Sequence, residues 1–220
     1  GLATRRQLEE RGARVVGVDL RGADVEVDLA TGEGRSALVE HVSSVTSGRV
    51  DAVIASAGVG GPSFTTEEIV RVNTWGVIVC TQEAAKQMIA QGSGGKIINT
   101  GSIASRQGFW DFVPYCVAKF GTLAVTQATA RGLIEHGITV NAFAPGVVDT
   151  PMWVGLNEDI RAIHGQPDEA DPMREFAGGT LIGRPADPSE LAPFLVYLAS
   201  AESDYMTGQM YMVDGGQILV

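Results

Sequence analysis

Short apolar bursts recur along the chain, separated by segments of helical length. Residues 14–18, 52–55, 96–99, 139–142 and 210–213 read Arg-Val-Val-Gly-Val, Ala-Val-Ile-Ala, Lys-Ile-Ile-Asn, Thr-Val-Asn-Ala and Met-Tyr-Met-Val. They are rich in β-branched residues and do not alternate with polar ones, as parallel strands covered on both faces require. Between them the period changes. Leu38, Val42 and Val45 fall at helical spacing, and Thr65-Thr66-Glu67-Glu68 offers a capping box that opens a long helix towards Gln91. A helix over 113–136 runs into Gly137, a residue suited to the left-handed cap. Asp187-Pro188-Ser189-Glu190 combines an N-cap, a first-turn proline and an acidic third position, and starts a helix ending near Ser200.

Strands alternating with helices predict an α/β fold: a doubly wound parallel sheet of Rossmann type, in a single domain over 1–220. Ligands of such sheets bind beyond the C-terminal ends of the strands, so chemistry is sought there. Residues 147–180 are rich in Pro, Gly, Asp and Glu and read as a long irregular loop, a candidate substrate lid.

Composition narrows the function. With 45% apolar and 19% charged residues the 220-residue chain suits one buried core. A net charge of −10 and the lack of any basic run argue against a nucleic-acid partner. No stretch approaches the length of about 18 apolar residues needed to span a bilayer, and no signal peptide is evident. Two cysteines, Cys80 and Cys116, and three scattered histidines lack metal-ligand spacing, so no metal site and a reduced cytoplasmic compartment are expected.

Tyr115 and Lys119 stand four apart on a predicted helix, one turn apart on the same face. A phenol with an ordinary pKa of about 10 is a weak base near neutrality, and a nearby ammonium favours its ionised form. Ser102, in the turn after the 96–99 strand, can hold a substrate oxygen while Tyr115 exchanges a proton with it. A Tyr-x-x-x-Lys pair alone is a weak pattern; its company makes it specific. Asn99-Thr100-Gly101-Ser102 precedes Tyr115-Cys-Val-Ala-Lys119 by the spacing of the short-chain dehydrogenase/reductase family, which the chain resembles over nearly its whole length. Val72-Asn73-x-x-Gly76, the segment Asn141 to Thr150, Gly183 to Glu190 and Thr207 to Gly216 resemble further landmarks of that family.

The resemblance implies an alcohol/ketone oxidoreductase with the tetrad Asn73, Ser102, Tyr115 and Lys119. Tyr115 would be the general acid/base, Ser102 would orient the carbonyl, Lys119 would bind the nicotinamide ribose and lower the phenol pKa, and Asn73 would position a water. Gly1, Asp19, Asp28, Leu29, Ala57, Gly58, Pro145, Gly146, Val148 and Thr150 would hold the dinucleotide with Tyr115 and Lys119. Asp19, at the end of the 14–18 strand, favours NAD over NADP by accepting ribose hydrogen bonds and repelling a 2′-phosphate; Arg21 keeps NADP as the second candidate. Phe109, Trp110, Met152 and Trp153 join Ser102 and Tyr115 as substrate-pocket candidates, which suggests an apolar ketone or alcohol.

A looser resemblance, to bacterial 3α-hydroxysteroid dehydrogenase/carbonyl reductases, rests on Val16-Gly-Val-Asp-Leu-Arg21 and Asp28-Leu-Ala-Thr-Gly-Glu-Gly-Arg35. Those proteins carry a long insertion before the catalytic Tyr that this chain lacks. Two departures from the family stand out. Gly1-Leu2-Ala3-Thr4 looks like the end of the glycine-rich turn, so the first strand and the earlier glycines are missing from the sequence, and about a dozen preceding residues are expected in the natural protein. The family's Asn-Asn-Ala-Gly appears as Ala55-Ser56-Ala57-Gly58. The family also implies a homotetramer or homodimer. A catalytically silent dinucleotide-binding regulator on the same fold is the alternative.

Overall fold

Adjacent isoleucines, Ile97 and Ile98, are each only 1% exposed although a strand points them to opposite faces. A strand buried on both sides must lie inside a layered α/β structure. The computed structural model describes residues 1–28, 31–46 and 48–219, less the side chains of Ser43, Val45 and Thr46. Leu29, and Val45 as a helix-face residue, therefore fall outside what is described.

In chain order the elements are α1 (Leu2–Glu10), β1 (Val18–Asp19), β2 (Val25–Glu26), α2 (Gly32–Thr46), β3 (Ala52–Ala55), α3 (Thr66–Val70), α4 (Gly76–Gln91) and β4 (Gly95–Thr100). Then follow α5 (Val113–Leu133), β5 (Ile138–Pro145), α6 (Met152–His164), α7 (Pro172–Gly178), α8 (Pro188–Ala199) and β6 (Met210–Val213). Strands β3-β4-β5-β6 form a parallel sheet in that order. On one face Ile97, Ile138 and Val140 pack with Ala84, Ala85 and Met88 of α4 and Ala130 of α5. On the other, Ile98 and Phe143 pack with Leu191, Leu195 and Leu198 of α8. The fold is the expected α/β architecture with helices on both faces.

Helix α5 approaches the sheet along a stripe of small residues: Ala118, Thr122, Thr126 and Ala130 are buried at four-residue spacing. That stripe turns the neighbouring Tyr115 and Lys119 towards the end of β4. The capping box is present, with Glu68 N–H donating to the Thr65 hydroxyl, and so is its counterpart between Asp187 and Glu190. Gly137 takes the left-handed cap at φ +70.

Three expectations need correction. Only Val18 of the 14–18 burst lies in a ladder, where it pairs with Val25; β1 and β2 form a separate two-stranded sheet. Ahead of Val18, Gly17 reaches β2 through its carbonyl, which accepts from Val25 N–H at 3.1 Å, and the strand itself begins at Val18. The helix from Thr65 is not uniform either: a π turn over Arg71–Trp75 separates α3 from α4. Residues 147–180, finally, are not an irregular loop but contain α6 and α7. The acidic and glycine-rich composition hid an amphipathic run, Met152, Trp153, Leu156 and Ile160, closed by Gly165 at φ +61.

Ile138 is fully buried between the layers. Ile138→Ala is expected to lower stability by about 2–5 kcal/mol, whereas Asp187→Ala, which removes only a cap, costs about 1 kcal/mol. Urea unfolding of the two variants checks the order.

Candidate active site

The C-terminal ends of β3, β4 and β5 open into one cleft of about 300 Å³. Ser56 and Gly58 follow β3, Thr100 to Ser102 close β4, and Pro145 to Val148 leave β5; all line the cleft, with Tyr115 and Lys119 of α5 between them. This is where an open α/β sheet places its ligand.

Two hydroxyls and an ammonium meet here. The Tyr115 phenol lies beside the Ser102 hydroxyl, which favours its ionised form. Burial pushes the phenol above its ordinary value, and the neighbouring Ser102 hydroxyl pulls it back. Lys119 Nζ donates to the Thr100 carbonyl at 2.9 Å and lies 5.6 Å from the centroid of the Tyr115 ring. Burial lowers the Lys119 pKa from 10.5 to about 8. Ser102 caps the short turn after β4, its Oγ accepting from Ala104 N–H at 3.2 Å, which fixes the hydroxyl at the floor of the cleft.

Asn73 lies within the π turn. Its amide donates to the Ile69 carbonyl, four residues back, at 3.1 Å and to the Val59 carbonyl at 2.6 Å, while its Oδ1 accepts from Val59 N–H at 3.2 Å. Asn73 is wholly buried and thereby fastens the loop after β3. Gly58 on that loop has room for no side chain, since a Cβ there would lie 2.8 Å from Asn73 Oδ1 and 3.6 Å from Lys119 Nζ.

Of the residues singled out in the sequence, Asn73, Ser102, Tyr115, Lys119, Gly1, Gly58, Pro145, Gly146, Val148, Thr150, Phe109, Met152 and Trp153 all line the cleft. Asp19, Asp28 and Ala57 are not among the residues that wall it. Asp19 instead accepts from Leu20 N–H at 2.7 Å, and Asp28 faces Arg71 at 3.9 Å. Trp110 is corrected outright: it is 90% exposed and outside the cleft, because the turn Trp110–Phe112 directs Phe112 inward instead. Sequence reasoning missed Leu156, Ile160 and Phe176, which form the wall opposite Tyr115. The helical spacing of Leu156 and Ile160 was a usable signal; Phe176 shows itself only through its ring contact with Phe109, 5.8 Å between centroids.

The open, glycine-lined half of the cleft, with Gly1, Gly58, Gly101 and Gly146 on its walls, has the shape a dinucleotide backbone needs. A Cβ at Gly146 would sit 2.9 Å from the Asp214 backbone, so close packing there also demands glycine. The cradle fits such a cofactor. Among the described residues no group of three or more His, Cys, Asp or Glu side chains could hold a metal, and no helix is long and apolar enough to cross a membrane.

Residues 1–217 match a family profile described as enoyl-(acyl carrier protein) reductase. The chain is 33% identical to an L-2,3-butanediol dehydrogenase of Corynebacterium glutamicum, over 96% of this chain and 86% of that one. It is 32% identical to a cis-4-hydroxycyclohexanecarboxylate dehydrogenase of Sinomonas cyclohexanicum, over 100% of this chain and 92% of that protein. Among solved structures it is similar to the 3-alpha-hydroxysteroid dehydrogenase of Pseudomonas sp. B-0831 in complex with NADH. The TM-score there is 0.84 at 25% identity, covering 98% and 91% of the two chains.

Asn73→Ala strands the Val59 backbone groups without partners. It is expected to destabilise the protein by about 1–3 kcal/mol, measured by urea unfolding.

Proposed function

The chain belongs to the short-chain dehydrogenase/reductase family, and from that premise we propose that it is an NAD(H)-dependent oxidoreductase interconverting a secondary alcohol and a ketone. The observation that carries the reading is the Ser102–Tyr115 hydroxyl pair, backed by the Lys119 ammonium, in a cleft at the strand ends. A nicotinamide dinucleotide, when bound, supplies the hydride acceptor or donor.

The protein handles the proton and the geometry. Ser102 and Tyr115 together hold the substrate oxygen. In oxidation the Tyr115 phenolate accepts the hydroxyl proton; in reduction the neutral phenol donates it. Lys119 keeps positive charge near the phenolate and is placed to bind ribose hydroxyls. Asn73, committed to Val59 and Ile69, holds the loop that forms the facing wall. Gly1, Gly58, Pro145, Gly146, Val148 and Thr150 would hold the cofactor along the cleft. Asp19, at the end of β1, supports NAD over NADP, because its carboxylate would repel a 2′-phosphate.

The substrate half of the cleft is walled by Phe109, Met152, Trp153, Leu156, Ile160 and Phe176, none of which offers a hydrogen bond to a second substrate hydroxyl beyond the Trp153 indole. This supports a hydroxysteroid or other apolar cyclic carbonyl as substrate. The exposed apolar side chains of Trp75, Val117 and Phe120 on the helices around Asn73 and Tyr115 support assembly into a homodimer or homotetramer.

Absorbance of the reduced nicotinamide, followed with NAD and a panel of alcohols, tests the reading. Turnover with Tyr115→Phe is expected to fall at least about a hundredfold. NAD binding with no turnover on any substrate would instead indicate a silent dinucleotide-binding regulator. Oxidation needs the deprotonated phenol and so should rise with pH; reduction needs the protonated phenol and so should decline as pH rises. Each buried methylene contributes about 0.8 kcal/mol, so alicyclic alcohols with two more buried methylenes should exceed butane-2,3-diol in kcat/KM by about tenfold.

A further inference from the structure

Helix α6 roofs the cleft with Leu156 and Ile160, and α7 travels with it: Arg161 donates to the Ala170 carbonyl at 3.1 Å, and Met173 N–H to Asn157 Oδ1 at 2.9 Å. The pair is thus a unit whose height over Tyr115 must be set by something else. Two contacts do so. At the far end, His164 Nε2 meets Asp111 Oδ2 at 3.1 Å, in the turn that leads into α5. At the near end, Asp159 reaches the loop after β3: its Oδ2 accepts from Ser63 N–H at 3.2 Å, and its Oδ1 from the Ser63 hydroxyl.

The chain is shaped for the second contact. Gly61 adopts φ +104, a conformation that disfavours a side chain, and a Cβ there would strike Asp159 Oδ2 at 2.7 Å and Leu156 Cδ1 at 3.2 Å. Glycine at 61 therefore lets α6 come down onto the loop. The same loop is anchored from below by Asn73 through Val59. Gly60 lies against Tyr115, where an added Cβ would be 3.2 Å from the ring. One short segment, 58–63, so touches the catalytic phenol at one end and the roof at the other.

We propose that Asp159 is a positioning residue for the reaction, clasping α6–α7 to the loop after β3 through Ser63 and so setting the depth of the apolar wall over Tyr115. The inference rests on the proposed oxidoreductase reading only for its kinetic consequence; the clasp itself is a property of the free protein. Asp159 touches neither the phenol nor Lys119, so losing it should alter substrate fit rather than proton transfer.

The test is hydrogen exchange of the full chain without ligands, paired with steady-state kinetics on an alicyclic alcohol. Asp159→Ala is expected to speed exchange of the α6 amides about tenfold while leaving β4 and β5 unchanged. It should raise KM about tenfold with kcat within about threefold. Ser63→Ala, at an exposed position, should shift both readouts the same way but less, and add little to Asp159→Ala. Asp159→Asn, which keeps one acceptor for Ser63 N–H, should recover part of the loss. Unchanged α6 exchange in both alanine variants would overturn the proposal, as would additive effects in the double variant. If the wild-type protein turned over no substrate, exchange would still decide the clasp, and only the functional reading would fall.

Discussion

A buried ammonium is expensive, and the site depends on one. Lys119 is 3% exposed and its pKa falls from 10.5 to about 8, a depression worth about 3 kcal/mol. Between pH 8 and 10.5 the unfolded chain holds the proton more tightly, so stability from this group rises with pH; below 8 the cost of burying the charge is carried in full. The carbonyl of Thr100, the last residue of β4, offsets part of that cost. The bond ties α5 to the end of β4 and so fixes Tyr115 above Ser102. Relaxing it would separate the two halves of the hydroxyl pair.

The sheet makes this possible. Strands β4 and β5 are covered on both faces, so their C-terminal ends are where the chain leaves the layers and can meet a ligand. Small residues on α5 let that helix lie close enough for Lys119 to reach Thr100. On the other side, Asn73 sits in the π turn and spends its amide on the loop carrying Gly58. The site is assembled by buried polar side chains that serve backbone groups, and the reacting hydroxyls are held in place by them. In such a network each partner removed leaves another unsatisfied.

Much of this was legible in the sequence because its signals are local. Unbroken apolar bursts gave β3, β4, β5 and β6, and caps such as Thr65, Gly137 and Asp187 gave helix ends within a residue or two. Tyr115 and Lys119 declared themselves by one-turn spacing. What escaped depends on contacts distant in the chain. Residues 14–17 have strand-like composition, yet the strand begins only at Val18. The amphipathic run from Met152 was masked by its Gly, Asp and Glu neighbours. Trp110 looked like a pocket aromatic, but rotation within a three-residue turn sends it to solvent. The π turn over Arg71–Trp75 leaves no mark in the hydrophobic periodicity.

The sharpest measurement is the comparison of wild type with Lys119→Met, in both thermal stability and cofactor-linked turnover of an alicyclic alcohol. Methionine fills similar volume without charge, so a lysine kept for its chemistry should be replaceable without loss of fold. The predicted result is equal or greater stability together with at least about a hundredfold loss of turnover. Turnover within a few-fold of wild type would contradict the account, because the buried ammonium would then have no part in the reaction.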